Sequence, residues 1–120
     1  MSVLLQVNFG WDVATDQAMT IDPAHAQRYA ELPGLQWKIW VFDPETRTNG
    51  GIHLFVDRPT AKAYLETLLP RLEAMEGVHD LRATIFDIKE EATRTTRGPL
   101  DVPAPAPGHG ARRGGREAPR

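Results

Sequence analysis

Apolar and polar residues alternate through Val3-Leu-Leu-Gln-Val-Asn-Phe9, and most are strand formers, which predicts a first β-strand. Gly10 to Thr20 breaks the pattern and keeps one large apolar residue, Trp11. Asp22-Pro23 is a helix start, because Asp caps free N–H groups and Pro fits a first turn. The helix should run from Pro23 to about Glu31, stopped by Pro33-Gly34. Leu35 to Phe42 predicts a second strand, and Gly51 to Val56 a third. Between them, Asn49-Gly50-Gly51 tolerates positive φ and is expected to make an antiparallel hairpin turn. Asp57 and Pro59 open a second helix, in which Ala61, Tyr64, Leu65 and Leu68 keep helical spacing. Pro70 should kink it or begin a short new helix ending at Met75, and Gly77 stops it. A fourth strand follows from about Asp80 to Ile88. The order β-α-β-β-α-β is that of an α+β, ferredoxin-like antiparallel sheet.

Alternate strand residues share a face. On this parity one face collects Val3, Leu5, Val7, Phe9, Leu35, Trp37, Ile39, Val41, Ile52, Leu54, Val56, Leu81, Ala83 and Ile85, and both helices should pack on it. The other face collects Leu4, Gln6, Asn8, Gln36, Lys38, Trp40, Phe42, His53, Phe55, Arg82, Thr84, Phe86 and Ile88. Leaving its six large apolar side chains wet forgoes on the order of 10 kcal/mol, comparable with the stability of a small domain. A second copy packed sheet to sheet is therefore expected to cover it.

Composition changes the picture at the C-terminus. Residues 98–120 hold five of the ten prolines and five of the ten glycines, with Leu100 and Val102 as the only large aliphatics. Such a stretch offers little apolar surface against its ordering entropy, so the expected division is a folded domain over 1–97 and a disordered tail over 98–120. Net charge is −2 and uneven: the tail is +2, and residues 1–97 are −4, with ten basic against fourteen acidic residues. An acidic folded unit argues against nucleic acid as partner. With no cysteine, disulfides, thiolate nucleophiles and Cys-based metal sites are excluded. No apolar run reaches membrane-spanning length, and the N-terminus shows no basic segment followed by an apolar run, so a cytoplasmic protein is expected.

Several stretches carry a family resemblance: Leu4-Leu-Gln6, Leu35-Gln-Trp-Lys-Ile-Trp40, Gly50-Gly-Ile-His-Leu-Phe55, Ala63-Tyr-Leu-Glu66 and Ile85-Phe-Asp87. Through them the chain resembles the YdhR-type mono-oxygenases of the dimeric α/β-barrel superfamily, over roughly residues 3 to 92. The Trp-Lys-x-Trp and Gly-Gly-Ile-x-Leu-Phe pair is the most specific part. The resemblance implies a ferredoxin-like monomer and a homodimer joined through its sheets. It also implies oxygenation of a small aromatic or polycyclic quinol-like substrate, with molecular oxygen as co-substrate and no cofactor. Relatives in the superfamily also include cyclases and isomerases of secondary metabolism and haem-degrading enzymes, and a non-catalytic binding protein is a further alternative. Two departures stand out: His53 where the family pattern has Tyr, and the long Pro/Gly/Arg tail.

Candidate chemistry falls on the mixed face. His53 is the candidate general base, since its ordinary pKa lies near neutrality. Lys38 and Arg82 are candidates to stabilise an enolate or superoxide-like anion. Asn8, Trp37, Trp40, Phe55, Tyr64 and Phe86 are candidate substrate contacts, the rings by stacking and Asn8 and Tyr64 by hydrogen bonding. Tyr29 is a second phenol able to bond a phenolic ligand. Each has a plain structural alternative, as core packing, rim charge or interface hydrogen bond. His25, His53, His79 and His109 lie in separate segments, so no metal site is expected.

Overall fold

The structure is a computed structural model and describes residues 1–106. In chain order its elements are β1 (Val3–Trp11), α1 (Thr15–Met19), α2 (Pro23–Ala30), β2 (Leu35–Asp43), β3 (Thr48–Phe55), α3 (Arg58–Ala74), β4 (Val78–Asp87) and α4 (Glu90–Thr95). The strands form one antiparallel sheet in the order β2-β3-β1-β4, the ferredoxin-like arrangement. Within one chain the sheet is open, with β2 and β4 at its edges.

Local chemistry accounts for the main helices. The Asp22 carboxylate accepts the Ala24 N–H, and Pro23 occupies the first turn of α2. The Asp57 carboxylate accepts both the N–H and the hydroxyl of Thr60, starting α3. α3 continues through Pro70 without a break. Pro70 is exposed, so the carbonyl it leaves unpaired can bond water. α1 and α4 have five and six residues, too short to show a helical period in the sequence.

The hairpin departs from expectation. The turn between β2 and β3 is Pro44 to Arg47, and Asn49-Gly50-Gly51 lies inside β3. The Asp43 carboxylate closes the turn by accepting the Glu45 N–H and the Thr46 hydroxyl, and Arg47 takes the positive φ of 57°. Glycine serves the strand for a different reason. A Cβ on Gly50 would stand 2.1 Å from the Val7 carbonyl oxygen, and one on Gly51 2.7 Å from Lys38 Cε.

The largest correction concerns which face each residue occupies. β1 buries Val3, Leu5, Val7 and Phe9 beneath the helices. Its partners across the ladder are Phe55 for Val3, His53 for Leu5 and Gly51 for Val7. His53 and Phe55 therefore face the helices, while Ile52 and Leu54 face away. In β2 the register shifts between Leu35 and Trp37, where two residues oppose one of β3. This bulge at Gln36 reverses the parity of everything after it. Lys38, Trp40 and Phe42 thus join the helix side, and Trp37, Ile39 and Val41 leave it. Arg82, Thr84 and Phe86 stay on the far side, since Ala83 and Ile85 pair with Val7 and Leu5. A hydrophobic pattern cannot expose such a slip when both faces of a strand are apolar.

Part of the segment expected to be tail is ordered. Past the boundary at residue 97, the chain crosses the far face toward β2. The Gln36 amide donates to the carbonyls of Leu100 and Val102, the Trp37 indole donates to that of Pro99, and the Gly34 N–H donates to that of Pro105. Leu100 is buried, and so is Leu54, which is fully enclosed although it faces away from the helices. Residues 107–120, with His109, lie outside the described residues. Replacing Leu100 with alanine is expected to destabilise the fold by about 2 kcal/mol, since a strap can partly collapse onto the gap. The same change at exposed Val102 should cost little, and urea unfolding of the two variants side by side measures the difference.

Candidate functional site

A cavity of about 510 Å³ opens between the sheet and the helices. Its sheet wall is Val7 and Phe9 of β1, Lys38, Trp40 and Phe42 of β2, and Gly51 and His53 of β3. Its helix wall is His25 and Tyr29 of α2 and Tyr64, Leu68 and Leu72 of α3, with Trp11 and Met19 nearer the mouth. The size suits a two- or three-ring aromatic molecule.

His53 sits at the polar end and is 1% exposed. Its Nδ1–H donates to the Leu5 carbonyl at 3.0 Å, which leaves Nε2 as the unprotonated acceptor. Nε2 is buried and has no hydrogen-bond partner among the described residues. Burial, helped by the charge of Lys38 and opposed by the Leu5 bond, holds the imidazole down to about 4, so it is neutral at physiological pH. The ring edge bearing Cε1 and Nε2 lies over Gly51, where an added Cβ would come within 3.1 Å of Cε1 and 3.5 Å of Nε2. Only glycine leaves that approach open.

Lys38 is the cross-strand neighbour of His53. Its Nζ lies 3.6 Å from the centre of the Tyr29 ring and 3.5 Å from that of Trp40. Burial, and secondarily the charge of Arg71, lower its pKa to about 7. The two ring faces attract the ammonium and keep a charged share at neutral pH. Tyr29 and Tyr64 bond through their hydroxyls, joining α2 to α3 above the histidine. Burial, then Tyr29, push the Tyr64 phenol upward, so it stays protonated as a donor.

The structure thus brings together five of the residues picked out in the sequence. His53, Lys38, Trp40, Tyr64 and Tyr29 all line the cavity. Phe55 lies behind it, fully buried and stacked on His53 with ring centres 6.0 Å apart. Arg82, Asn8, Trp37 and Phe86 are on the opposite face of the sheet. There Arg82 and Asn8 are cross-strand neighbours, Asn8 accepts from the Gln6 amide, and Trp37 holds the C-terminal strap. Arg82 is therefore a sheet's thickness from His53, contrary to the shared face expected of them. Arg28 and Arg71 escaped the sequence reading, because isolated basic residues on helices carry no motif, and His25 entered it only as a histidine without a ligand partner on its own segment. Among the described residues no group of three His, Asp or Glu side chains is placed to hold a metal ion, and no helix is long and apolar enough to cross a membrane.

The sequence profile of the family described as "Putative mono-oxygenase ydhR" matches residues 4–99, most of the chain and nearly all of the described fold. The chain belongs to the YdhR family. Its backbone also resembles that of SnoaB, a cofactor-independent oxygenase from Streptomyces nogalater, known from the crystal structure of a point mutant. The likeness has a TM-score of 0.55 at 15% identity and covers 74% of this chain and 94% of SnoaB, so it speaks for the fold. A search of curated proteins finds no match. For a YdhR-family chain, His53 and Lys38 are then the notable pair: a buried acceptor beside a cation, in an aromatic-walled cavity.

Proposed function

We propose that this YdhR-family protein is a mono-oxygenase that works without a bound cofactor, oxidising an electron-rich phenolic or enolic aromatic with molecular oxygen in the sheet–helix cavity. The observation that carries this is the unpartnered, buried Nε2 of His53 beside the Lys38 ammonium. A buried acceptor left empty costs about 1–3 kcal/mol, which a structure tolerates where the atom is used. The family's description and SnoaB's own activity point the same way.

The chemistry balances without a further reagent. Nε2 takes a proton from a ring CH2 next to a conjugated carbonyl, and Lys38 stabilises the resulting enolate. The enolate carbon passes electrons to oxygen and forms the C–O bond, giving a peroxide that recovers the proton from the imidazolium. Loss of the second C–H proton, with cleavage of the O–O bond, yields a carbonyl and water. One oxygen atom enters the product, the other leaves as water, and the substrate supplies every electron. A second copy of the chain is proposed to cover the far face, where Ile39 and Phe86 are 52% and 45% exposed.

Oxygen uptake by chelator-treated protein with anthrone and hydroxylated anthrones, together with the appearance of the anthraquinone product, tests the proposal. Failure to exceed the buffer rate across such a panel sinks it, and turnover under anaerobic conditions points instead to cyclisation or isomerisation. The pH profile carries a second signature. The base form of His53 is lost as pH falls through about 4, and the Lys38 ammonium is lost as pH rises through about 7. A plot of kcat/KM against pH should therefore be bell-shaped between those limits, and Lys38→Met should remove the alkaline limb.

A further inference from the structure

The walls of the cavity are charged in a way the oxidation alone does not require. Lys38, Arg28 and Arg71 all line it, from β2, α2 and α3, and none has a carboxylate partner among the described residues. Among the described residues Asp22 is the only acidic one on the wall, and its carboxylate already caps α2. This is the reverse of the surrounding protein, where residues 1–97 carry ten basic against fourteen acidic groups. A basic residue in the last turn of a helix favours the helix dipole, which explains Arg28 and Arg71 singly. It does not explain why both turn to the same space as a strand lysine. Their charges reach the same groups: burial first, then Arg28, Lys38 and Arg71, hold the His25 imidazole below its ordinary pKa, and burial, then Arg71, do the same for Lys38. The His25 ring is thereby kept neutral, its Nδ1 accepting from Arg28 at 3.2 Å.

We propose that the substrate of this cavity is an aromatic anion, a phenol or enol that also bears a carboxylate or similar acidic group. The acidic group lies between Arg28 and Arg71 at the mouth, and the reacting ring lies beneath Tyr29 and Tyr64 toward His53. This inference rests on the reading of the cavity as the substrate site and adds the chemical class of the substrate. An anion offsets the like charges gathered on this wall, and their field favours its approach to an otherwise acidic protein.

Calorimetric titration of the full-length protein with 1-hydroxy-2-naphthoate and with its neutral counterpart, 1-hydroxy-2-naphthamide, tests this without turnover. The carboxylate is expected to bind about tenfold more tightly at low salt, and the preference should shrink as ionic strength rises. Arg28→Gln and Arg71→Gln should each reduce the preference severalfold, and the double variant should remove it while circular dichroism shows the fold intact. Equal binding of acid and amide, binding of neither at millimolar concentration, or a preference that survives in the double variant overturns the inference. Preference without oxygen uptake refutes the oxygenase reading and leaves this one standing. Uptake on neutral phenols without any preference does the converse.

Discussion

His53→Leu is expected to lower kcat for oxygen uptake by at least about 100-fold and to leave the protein as stable as before, or more so. The loss follows from the role of Nε2: removing a positioned general base typically forfeits about 10²–10⁴ in rate. The stability follows from the same atom. Nε2 is buried without a partner, so leucine replaces an unsatisfied acceptor with an apolar surface of similar volume. Against this stands the lost hydrogen bond to the Leu5 carbonyl, about 1 kcal/mol. The two nearly cancel, and the melting temperature should stay within a few degrees. The pH dependence of stability gives an independent check. The wild-type imidazole has its folded pKa depressed to about 4, so the unfolded chain binds the extra proton between that value and 6.5. Stability is then full above pH 6.5 and falls as pH drops toward 4, and the leucine variant should lose this part of the acid sensitivity. A large fall in melting temperature, with rate and stability lost together, would show His53 to be a packing residue.

The double variant Ile39→Asp/Phe86→Asp is expected to turn a dimer into a folded monomer. Both side chains are about half exposed in the single chain, so its own stability should change little. In a sheet-to-sheet dimer they lie among Leu4, Val41 and Ile52. Four carboxylates per dimer buried there, without partners, cost several kcal/mol and raise the dissociation constant 100-fold or more. Sedimentation at micromolar concentration reads the result directly. A wild-type chain that sediments as a monomer, or a variant with unchanged mass, contradicts the proposed assembly.

The order of strands and helices was legible because each break is marked chemically. Asp22-Pro23, Asp57 with Pro59, Pro33-Gly34 and Gly77 punctuate the chain as the structure does. The hairpin turn lies ahead of the glycines that suggest it, because Gly50 and Gly51 clear space for Val7 and Lys38 within β3 rather than turning the chain. The site was half legible. His53 and Lys38 emerged as a pair because both were placed on one face, and they do share one; the face itself was inverted. β3 is apolar on both sides, its outward Leu54 being fully buried, so alternation could not tell which side meets the helices. In β2 a single bulge at Gln36 reversed the parity, and a bulge leaves no mark in a run such as Leu35-Gln-Trp-Lys-Ile-Trp40. Arg82 and Phe86 part from His53 for another reason: β3 pairs with β1 so that His53 sits opposite Leu5 on the helix side, while Ala83 and Ile85 take that side in β4. The cations of the mouth needed the fold itself, since only the packing of α2 and α3 over the sheet brings Arg28 and Arg71 to one opening.

Nitrogen NMR of the labelled histidines, with 1-naphthol as ligand, tests most directly whether the cavity is the site and His53 its base. The expected result is a free His53 in the Nδ1–H tautomer, whose Nε2 resonance moves sharply on saturation while Nδ1, held by Leu5, hardly responds. A Nε2 signal that stays still while the ligand is bound to saturation contradicts the account.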